Sequence, residues 1–150
     1  MTIYIYSGVV LFLLILIIVS IFSKGYYPYR ARPILTKREY KFYMLLRKET
    51  DKRDLLICLK VGVKDLLEVT DSKHYMKYFH KIAQKHIDFV ICDRSLRVIF
   101  ALELDDSSHD TKEAKKRDDF KDRAFKAARI PLKRIRDFDE REVKELFRGI

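Results

Sequence analysis

An uncharged stretch near the N-terminus, from Ile3 to Phe22, limits the fold more than any other feature of the sequence. A helix of about 20 apolar residues is long enough to cross the hydrocarbon core of a bilayer. Because the stretch is apolar on every face, a helix packed against one side of a soluble core is a poor alternative. A cleaved signal peptide would need a basic segment before the apolar stretch and a small-residue cleavage site after it, and both are missing. The sequence therefore predicts an uncleaved transmembrane anchor at residues 1–23.

The residues that flank this anchor predict its orientation. Basic residues follow the apolar stretch at Lys24, Arg30 and Arg32, and no Lys or Arg precedes it. The positive-inside rule then places the N-terminus outside and the remainder of the chain in the cytoplasm. The segment from Gly25 to Pro33 contains glycine and proline residues, which disfavour helices and strands. Residues 24–33 are therefore expected to form a juxtamembrane linker.

Residues 34–150 carry the pattern of a single α/β domain. The expected order is a helix at 36–47, a strand at 55–61, a basic helix or structured loop at 73–83, a hairpin, a helix at 110–129, a strand at 132–136 and a last helix. This order predicts a central mixed sheet flanked by helices. Thr36 and Glu39 have the spacing of a capping box for the first helix, so Glu39 has two possible roles, a helix cap and a site residue.

The hairpin is the segment with the most chemical content. Two apolar runs at 86–92 and 98–104 are separated by a polar turn, which is typical of paired strands. Asp88 lies near the start of the first strand, whereas Glu103 and Asp105 lie at the end of the second and share one face. Convergent carboxylates at one sheet edge are suited to Mg²⁺ or Mn²⁺. His109 follows this edge and is a candidate general acid or base. An acidic strand end that binds nothing fits the same pattern.

The charge balance points to an anionic partner. Charged residues make up 36% of the chain and the formal net charge is +10, so nucleic acid and a membrane surface are both plausible partners. Basic residues in segments 73–85 and 112–136 are candidates for contacts with nucleic-acid phosphates: Lys73, Lys77, Lys81, Lys112, Arg117, Arg134 and Arg136. For segment 73–85, an exposed basic face over a core of Tyr75, Phe79 and Ile82 is the alternative.

Five segments between residues 34 and 136 resemble the DUF2726 family, a bacterial family similar to the PD-(D/E)XK restriction-endonuclease-like nucleases, which include very-short-patch repair endonucleases. They are Leu35-Thr36-x-x-Glu39-x-x-Phe42-Tyr43, His86-Ile87-Asp88-Phe89-Val90, Leu102-Glu103-Leu104-Asp105-Asp106-Ser107-Ser108-His109, Lys116-Arg117-Asp118-x-Phe120-Lys121-Asp122 and Ala128-Arg129-Ile130-Pro131-Leu132-x-Arg134-Ile135.

This resemblance implies a restriction-endonuclease-like domain with a metal at the sheet edge. It implies that Asp88 and Glu103 fill the acidic positions of the motif and that Glu39 approaches the metal. Asp105 stands where the motif has lysine. Lys116 or Lys121 on the following helix would then supply the missing amine, or His109 would do its work.

The sequence thus leads to one main expectation and one alternative. The main expectation is a Mg²⁺-dependent nuclease-like domain of a single-pass protein in the bacterial inner membrane, with catalytic candidates Asp88, Glu103, Asp105, His109, Lys116 and Lys121. Its expected metal ligands are Asp88, Glu103, Asp105 and Glu39. The alternative is a non-catalytic module that tethers nucleic acid or a protein partner to the membrane.

Overall fold

The structure is a computed structural model that describes residues 2–22, 27–105 and 112–150. Side chains are described for residues 4–21, 27–105 and 118–150. The chain divides into two units, Met1–Pro33 and Ile34–Ile150.

The first unit is built on helix α1, Thr2–Phe22. Its window Tyr4–Ile21 contains no charged residue, and none of this window is buried. Among the described residues, α1 is the one helix that is long and apolar enough to cross a membrane. At about 1.5 Å per residue its length matches the hydrocarbon core of a bilayer. The predicted apolar helix is therefore present, and its insertion and orientation stay predictions.

The second unit is an α/β domain with one four-stranded mixed sheet. The strands are β1 (Leu56–Gly62), β2 (His86–Cys92), β3 (Val98–Leu104) and β4 (Leu132–Ile135), in the order β1-β2-β3-β4. Strands β1, β2 and β3 pair antiparallel, whereas β4 pairs parallel with β3. The helices are α2 (Lys37–Asp51), α3 (Val63–Leu66), α4 (Tyr75–Ile82), α5 (Lys112–Ala127) and α6 (Glu140–Glu145).

Helices cover both faces of this sheet. One core joins Phe42 of α2 and Val143 of α6 to the alternate sheet residues Phe89 and Leu102. The other core joins Val90 and Ala101, which point to the opposite face, to Ile82 of α4 and Phe125 of α5. Because β2 and β3 are buried on both faces, their sequences are almost continuously apolar apart from Asp88 near the start of β2 and Glu103 near the end of β3. The expected sheet flanked by helices is confirmed.

The hairpin forms as predicted, and local chemistry explains its turn. The Asp93 carboxylate accepts hydrogen bonds from the backbone amides of Ser95 and Arg97, at 2.8 and 2.9 Å. Leu96 adopts a left-handed conformation with φ of 60°, which closes the turn. The register Phe89↔Leu102 and Val90↔Ala101 then fixes which residues of the two strands are neighbours.

Two local expectations were wrong. The sequence allowed β1 to continue through Val63, but Val63 begins α3, because Gly62 ends the strand and the Val63 side chain is fully buried. Tyr75 was a candidate core residue of α4. It is 44% exposed, and Ile82 is the buried residue of that helix. Tyr75 stacks on the Phe79 ring at a centroid distance of 5.6 Å.

Candidate functional site

Asp88 and Glu103 lie side by side at one end of the sheet. The register of β2 and β3 sets Phe89 opposite Leu102, so the next position along each strand brings Asp88 to Glu103. Asp88 Oδ2 accepts a hydrogen bond from the backbone amide of Leu104 at 3.1 Å, which holds its carboxylate against the end of β3. The structure therefore brings together the two carboxylates that the sequence singled out first.

Lys60 of β1 bridges Asp88 to the first helix of the domain. Its Nζ donates hydrogen bonds to Asp88 Oδ1 at 2.6 Å and to Glu39 Oε1 at 2.5 Å. Lys60 has a left-handed φ of 51° in the middle of a strand, which costs a non-glycine residue roughly 1–3 kcal/mol. We infer that the two ion pairs offset this cost.

Glu39 serves as a helix cap and as a member of the cluster at the same time. Its Oε2 accepts from the Thr36 amide at 2.7 Å, while Thr36 Oγ1 accepts from the Glu39 amide at 3.2 Å. This is the predicted capping box. The other oxygen, Oε1, accepts from Lys60. The two roles that the sequence left as alternatives are therefore compatible, because each uses a different oxygen.

Glu103 is the most enclosed carboxylate of the cluster, with a side chain that is 8% exposed. Lys121 of α5 donates a hydrogen bond to its Oε1. Arg134 is its neighbour in the parallel β3–β4 ladder, and Arg134 Nε lies 3.4 Å from Glu103 Oε2. The same guanidinium donates to Asp122 Oδ1 at 2.5 Å. The two other nitrogens of this guanidinium group, Nε and Nη2, are buried without a hydrogen-bond partner.

These contacts shift the pKa values of the cluster in different directions. Burial raises the pKa of Glu103, and the opposing contacts with Lys121 and Arg134 do not outweigh it. Burial also acts to raise the pKa of Glu39, but the hydrogen bonds from Lys60 and Thr36 outweigh it, so that pKa is lowered. For Lys60, burial acts to lower the pKa, and the hydrogen bonds to Asp88 and Glu39 raise it overall. The protonated lysine is thus favoured between two carboxylates.

The raised pKa of Glu103 predicts how this residue affects the pH dependence of folding stability when a chelator keeps the protein free of metal. Since its folded pKa lies above the ordinary glutamate value of 4.5, its contribution is fully present below pH 4.5 and is lost as pH rises through the folded pKa. We expect Glu103→Gln to gain stability relative to the unsubstituted chain as pH rises from 4 to 7. Thermal melts over this range measure the difference. Glu68→Gln, at an exposed loop position, is the control, and parallel curves for both variants would contradict the prediction.

The donor set for a metal ion is small. Within residues 2–22, 27–105 and 112–150, no three His, Cys, Asp or Glu side chains lie close enough together to hold a metal ion between them. Asp88 and Glu103 nevertheless offer a pair of carboxylates. Mg²⁺ commonly takes one or two protein carboxylates and completes its coordination with water and phosphate oxygens. In the described structure, Lys60 pairs with Asp88 and Lys121 pairs with Glu103, so each of the two carboxylates has a cationic partner.

The remaining acidic and catalytic candidates are less well placed or lie outside the described residues. Asp105 follows β3 and makes its contacts through the backbone: its amide donates to Ile135 at 2.9 Å and its carbonyl accepts from Arg38 at 3.0 Å. His109 lies outside the described residues. Lys116 lies on α5, but its side chain is outside the described part. Of the two lysines proposed for the missing amine, the structure shows Lys121 in contact with Glu103.

The predicted phosphate-binding residues divide into three groups. Lys73, Lys77, Lys81 and Arg136 are exposed. Arg134 points instead into the cluster, towards Glu103 and Asp122. Lys112 and Arg117 lie on α5 with side chains outside the described part.

Lys60 is the member of the cluster that the sequence analysis missed. The signal was present, because a lysine in the apolar strand Leu-Ile-Cys-Leu-Lys-Val-Gly must find a partner when it is half-buried. Arg134 gave a similar signal in β4. Lys60 belongs to none of the segments that carry the family resemblance, and its partners Glu39 and Asp88 are distant in the sequence.

The comparisons with known proteins give a family. The model of the family described as "Protein of unknown function (DUF2726)" matches residues 31–150, which include the whole sheet and the carboxylate cluster. No curated protein and no solved structure matches the chain. The match spans more than half of the chain and agrees with the resemblance inferred from its motifs, so the chain belongs to the DUF2726 family.

Proposed function

We propose that the Ile34–Ile150 unit is a metal-dependent nuclease that cleaves phosphodiester bonds of nucleic acid. The observation that carries this proposal is the pairing of Asp88 and Glu103 at one sheet end, with Lys60 touching the first and Lys121 touching the second. A phosphodiesterase needs carboxylates to hold a divalent ion and a cation to stabilise charge on the phosphate. These four residues supply both.

The fold supports the same proposal. We assign the domain to the restriction-endonuclease-like class. The family resemblance implied this class, with a sheet flanked by helices and acidic residues at the edge of the sheet. The four-stranded mixed sheet, the helices on both faces and the position of Asp88 and Glu103 agree with that expectation. Because one fold hosts many functions, the argument for chemistry rests on the side chains and not on the fold.

Each residue of the cluster has a role in this proposal. Asp88 and Glu103 would hold Mg²⁺ or Mn²⁺, which when bound polarises a phosphate oxygen and lowers the pKa of water. Lys60 holds Glu39 and Asp88 in position through its two hydrogen bonds. Lys121 brings a positive charge to Glu103, where it can stabilise negative charge that develops on the scissile phosphate. His109 stays a predicted proton donor.

The missing motif lysine is the point at which the structure adds most. Asp105 occupies the sequence position where lysine was expected, yet an ammonium group lies beside each of the two acidic residues. Lys121 approaches from the helix that follows β3, and Lys60 approaches from the neighbouring strand β1. A cation therefore reaches the cluster from another element, which supports catalysis despite Asp105.

Lys121 gives the first test of this proposal. We expect Lys121→Met to reduce the rate of Mg²⁺-dependent oligonucleotide cleavage about 100-fold, because one positioned cation is removed from the transition state. The assay uses the full chain in phosphatidylcholine nanodiscs with labelled DNA and RNA, single-stranded and duplex. The matched control is Lys126→Met, an exposed lysine on the same helix. Equal loss in both variants would show an effect of helix charge alone.

A non-catalytic binding module is the second candidate. One observation favours it: Glu39, Asp88 and Glu103 are all paired with Lys60, Lys121 or Arg134, so the cluster is balanced without a metal. Such a module would bind nucleic acid with strong salt dependence and without a metal requirement. Tight binding by the full chain, together with no cleavage at millimolar Mg²⁺ or Mn²⁺, would favour it over the nuclease.

We propose further that the chain is a single-pass protein of the bacterial inner membrane with the Ile34–Ile150 unit in the cytoplasm. The support is the length and apolar character of α1 and the basic residues that follow it. We expect this unit to resist protease added to intact spheroplasts and to be digested after lysis. Digestion of this unit before lysis would indicate the opposite orientation.

A further inference from the structure

Helix α4 presents an aromatic and basic surface that the proposed active site does not use. Tyr75 and Tyr78 are 44% and 40% exposed, and Met76 between them is exposed as well. Clusters of exposed large side chains on a small domain mark interaction sites. We call Tyr75, Lys77, Tyr78, Lys81 and Lys85 the α4 ridge.

The lysines of the α4 ridge lie against aromatic rings. Lys77 Nζ and Lys81 Nζ lie 5.9 and 5.4 Å from the centre of the Tyr78 ring. Lys81 Nζ and Lys85 Nζ lie 5.8 and 5.6 Å from the centre of the Phe120 ring on α5. No acidic residue occurs within α4. The ridge therefore complements a partner that has negative charge and flat faces together.

The ridge and the carboxylate cluster contact consecutive residues of α5. Phe120, which contacts Lys81 and Lys85, directly precedes Lys121, and Lys121 pairs with Glu103. Tyr78 and Phe120 further line an open groove of about 500 Å³ between α4, α5 and the loop before α4. Glu68 and Asp71 also line this groove, so the attraction of the ridge for an anionic chain rests on its lysines.

We propose that the α4 ridge binds single-stranded nucleic acid and presents it to the carboxylate cluster; this inference rests on the nuclease proposal for the role of that cluster. Stacking of bases on tyrosine and electrostatic contact of lysine with phosphate are the usual means of binding single strands. A duplex keeps its base faces stacked internally and cannot use the rings. An anionic bilayer would suit the lysines, but it gives no role to the contact with the cluster.

The experiment measures binding without cleavage. The full chain carrying Asp88→Asn is placed in phosphatidylcholine nanodiscs with chelator, and the anisotropy of labelled 15-mers, single-stranded and duplex, gives Kd. We expect tighter binding to the single strand. Tyr78→Ala should weaken it about 5- to 100-fold, whereas Tyr78→Phe, which keeps the ring, should stay within about twofold of the parent. Tyr40→Ala, at a 56% exposed tyrosine of α2, is the control and should not change Kd.

Three results would overturn the proposal. One is a Tyr78→Ala variant that binds the single strand as well as Tyr40→Ala does. Another is a duplex that binds as tightly as the single strand. The third is hydrogen-exchange protection of α4 by phosphatidylserine nanodiscs and none by oligonucleotide, which would assign the ridge to lipid. The binding measurement does not depend on cleavage, so it tests the ridge even if the nuclease proposal fails. If the unsubstituted chain cleaves nucleic acid but Tyr78→Ala does not change Kd, the ridge proposal is rejected and the nuclease proposal stands.

Discussion

Replacing Asp88 by Asn is expected to reduce metal-dependent cleavage by on the order of 1000-fold, because metal-ion stabilisation of the transition state contributes several kcal/mol. The carboxylate uses Oδ1 for Lys60 and Oδ2 for the Leu104 amide. An asparagine offers one acceptor oxygen and an NH₂ group, so it loses one of these contacts and one negative charge. Initial rates on labelled oligonucleotides measure the effect.

The same substitution should remove the stabilisation by metal. A ligand that binds the folded state alone raises the melting temperature as its concentration exceeds its Kd. We expect millimolar Mg²⁺ or Mn²⁺ to raise the melting temperature of the unsubstituted chain and to leave Asp88→Asn unchanged. Asp137→Asn, at an exposed position, is the control. Equal rates and equal metal shifts in all three proteins would remove Asp88 from the proposed mechanism.

The sequence was sufficient for the elements whose signals are local. The hairpin follows from two apolar runs and an Asp93 turn, and the capping box follows from the spacing of Thr36 and Glu39. Once the hairpin register is set, the proximity of Asp88 and Glu103 follows from strand geometry. The register shifts by one residue between Ile91 and Cys92, and this shift is what sets Asp88 opposite Glu103. The hairpin is therefore predictable from neighbours in sequence, whereas its exact pairing is not.

The contacts of Lys60 and Arg134 could not be predicted in this way. Lys60 meets Asp88 through pairing of β1 with β2 and meets Glu39 through the packing of α2, so both partners are remote in sequence. In β4, Arg134 was predicted to contact nucleic-acid phosphates. The strand is covered by helices on both faces, and Arg134 turns towards Glu103. Tertiary packing decides these contacts.

Lys60→Met is expected to lower the free energy of unfolding in chelator by roughly 1–3 kcal/mol, since it removes the cation shared by two partly buried carboxylates. The effect has a defined pH dependence. The raised pKa of Lys60 means that its contribution is present below pH 10.5 and is lost above its folded pKa. The lowered pKa of Glu39 means that its contribution is present above pH 4.5 and is lost as pH falls through its folded pKa. The destabilisation should therefore be largest between these limits and shrink in acid.

Divalent metal should compensate for the missing ammonium. With Lys60 absent, Glu39 and Asp88 face each other without a cation, and a bound Mg²⁺ supplies the charge that they lack. We expect Mg²⁺ to raise the melting temperature of Lys60→Met more than that of the unsubstituted chain. Adding Glu39→Gln to Lys60→Met should restore part of the lost stability in chelator. Lys64→Met, an exposed lysine of α3, is the matched control. If Lys60→Met melts like Lys64→Met at every pH, with and without metal, the bridge from Glu39 to Asp88 contributes nothing to the cluster.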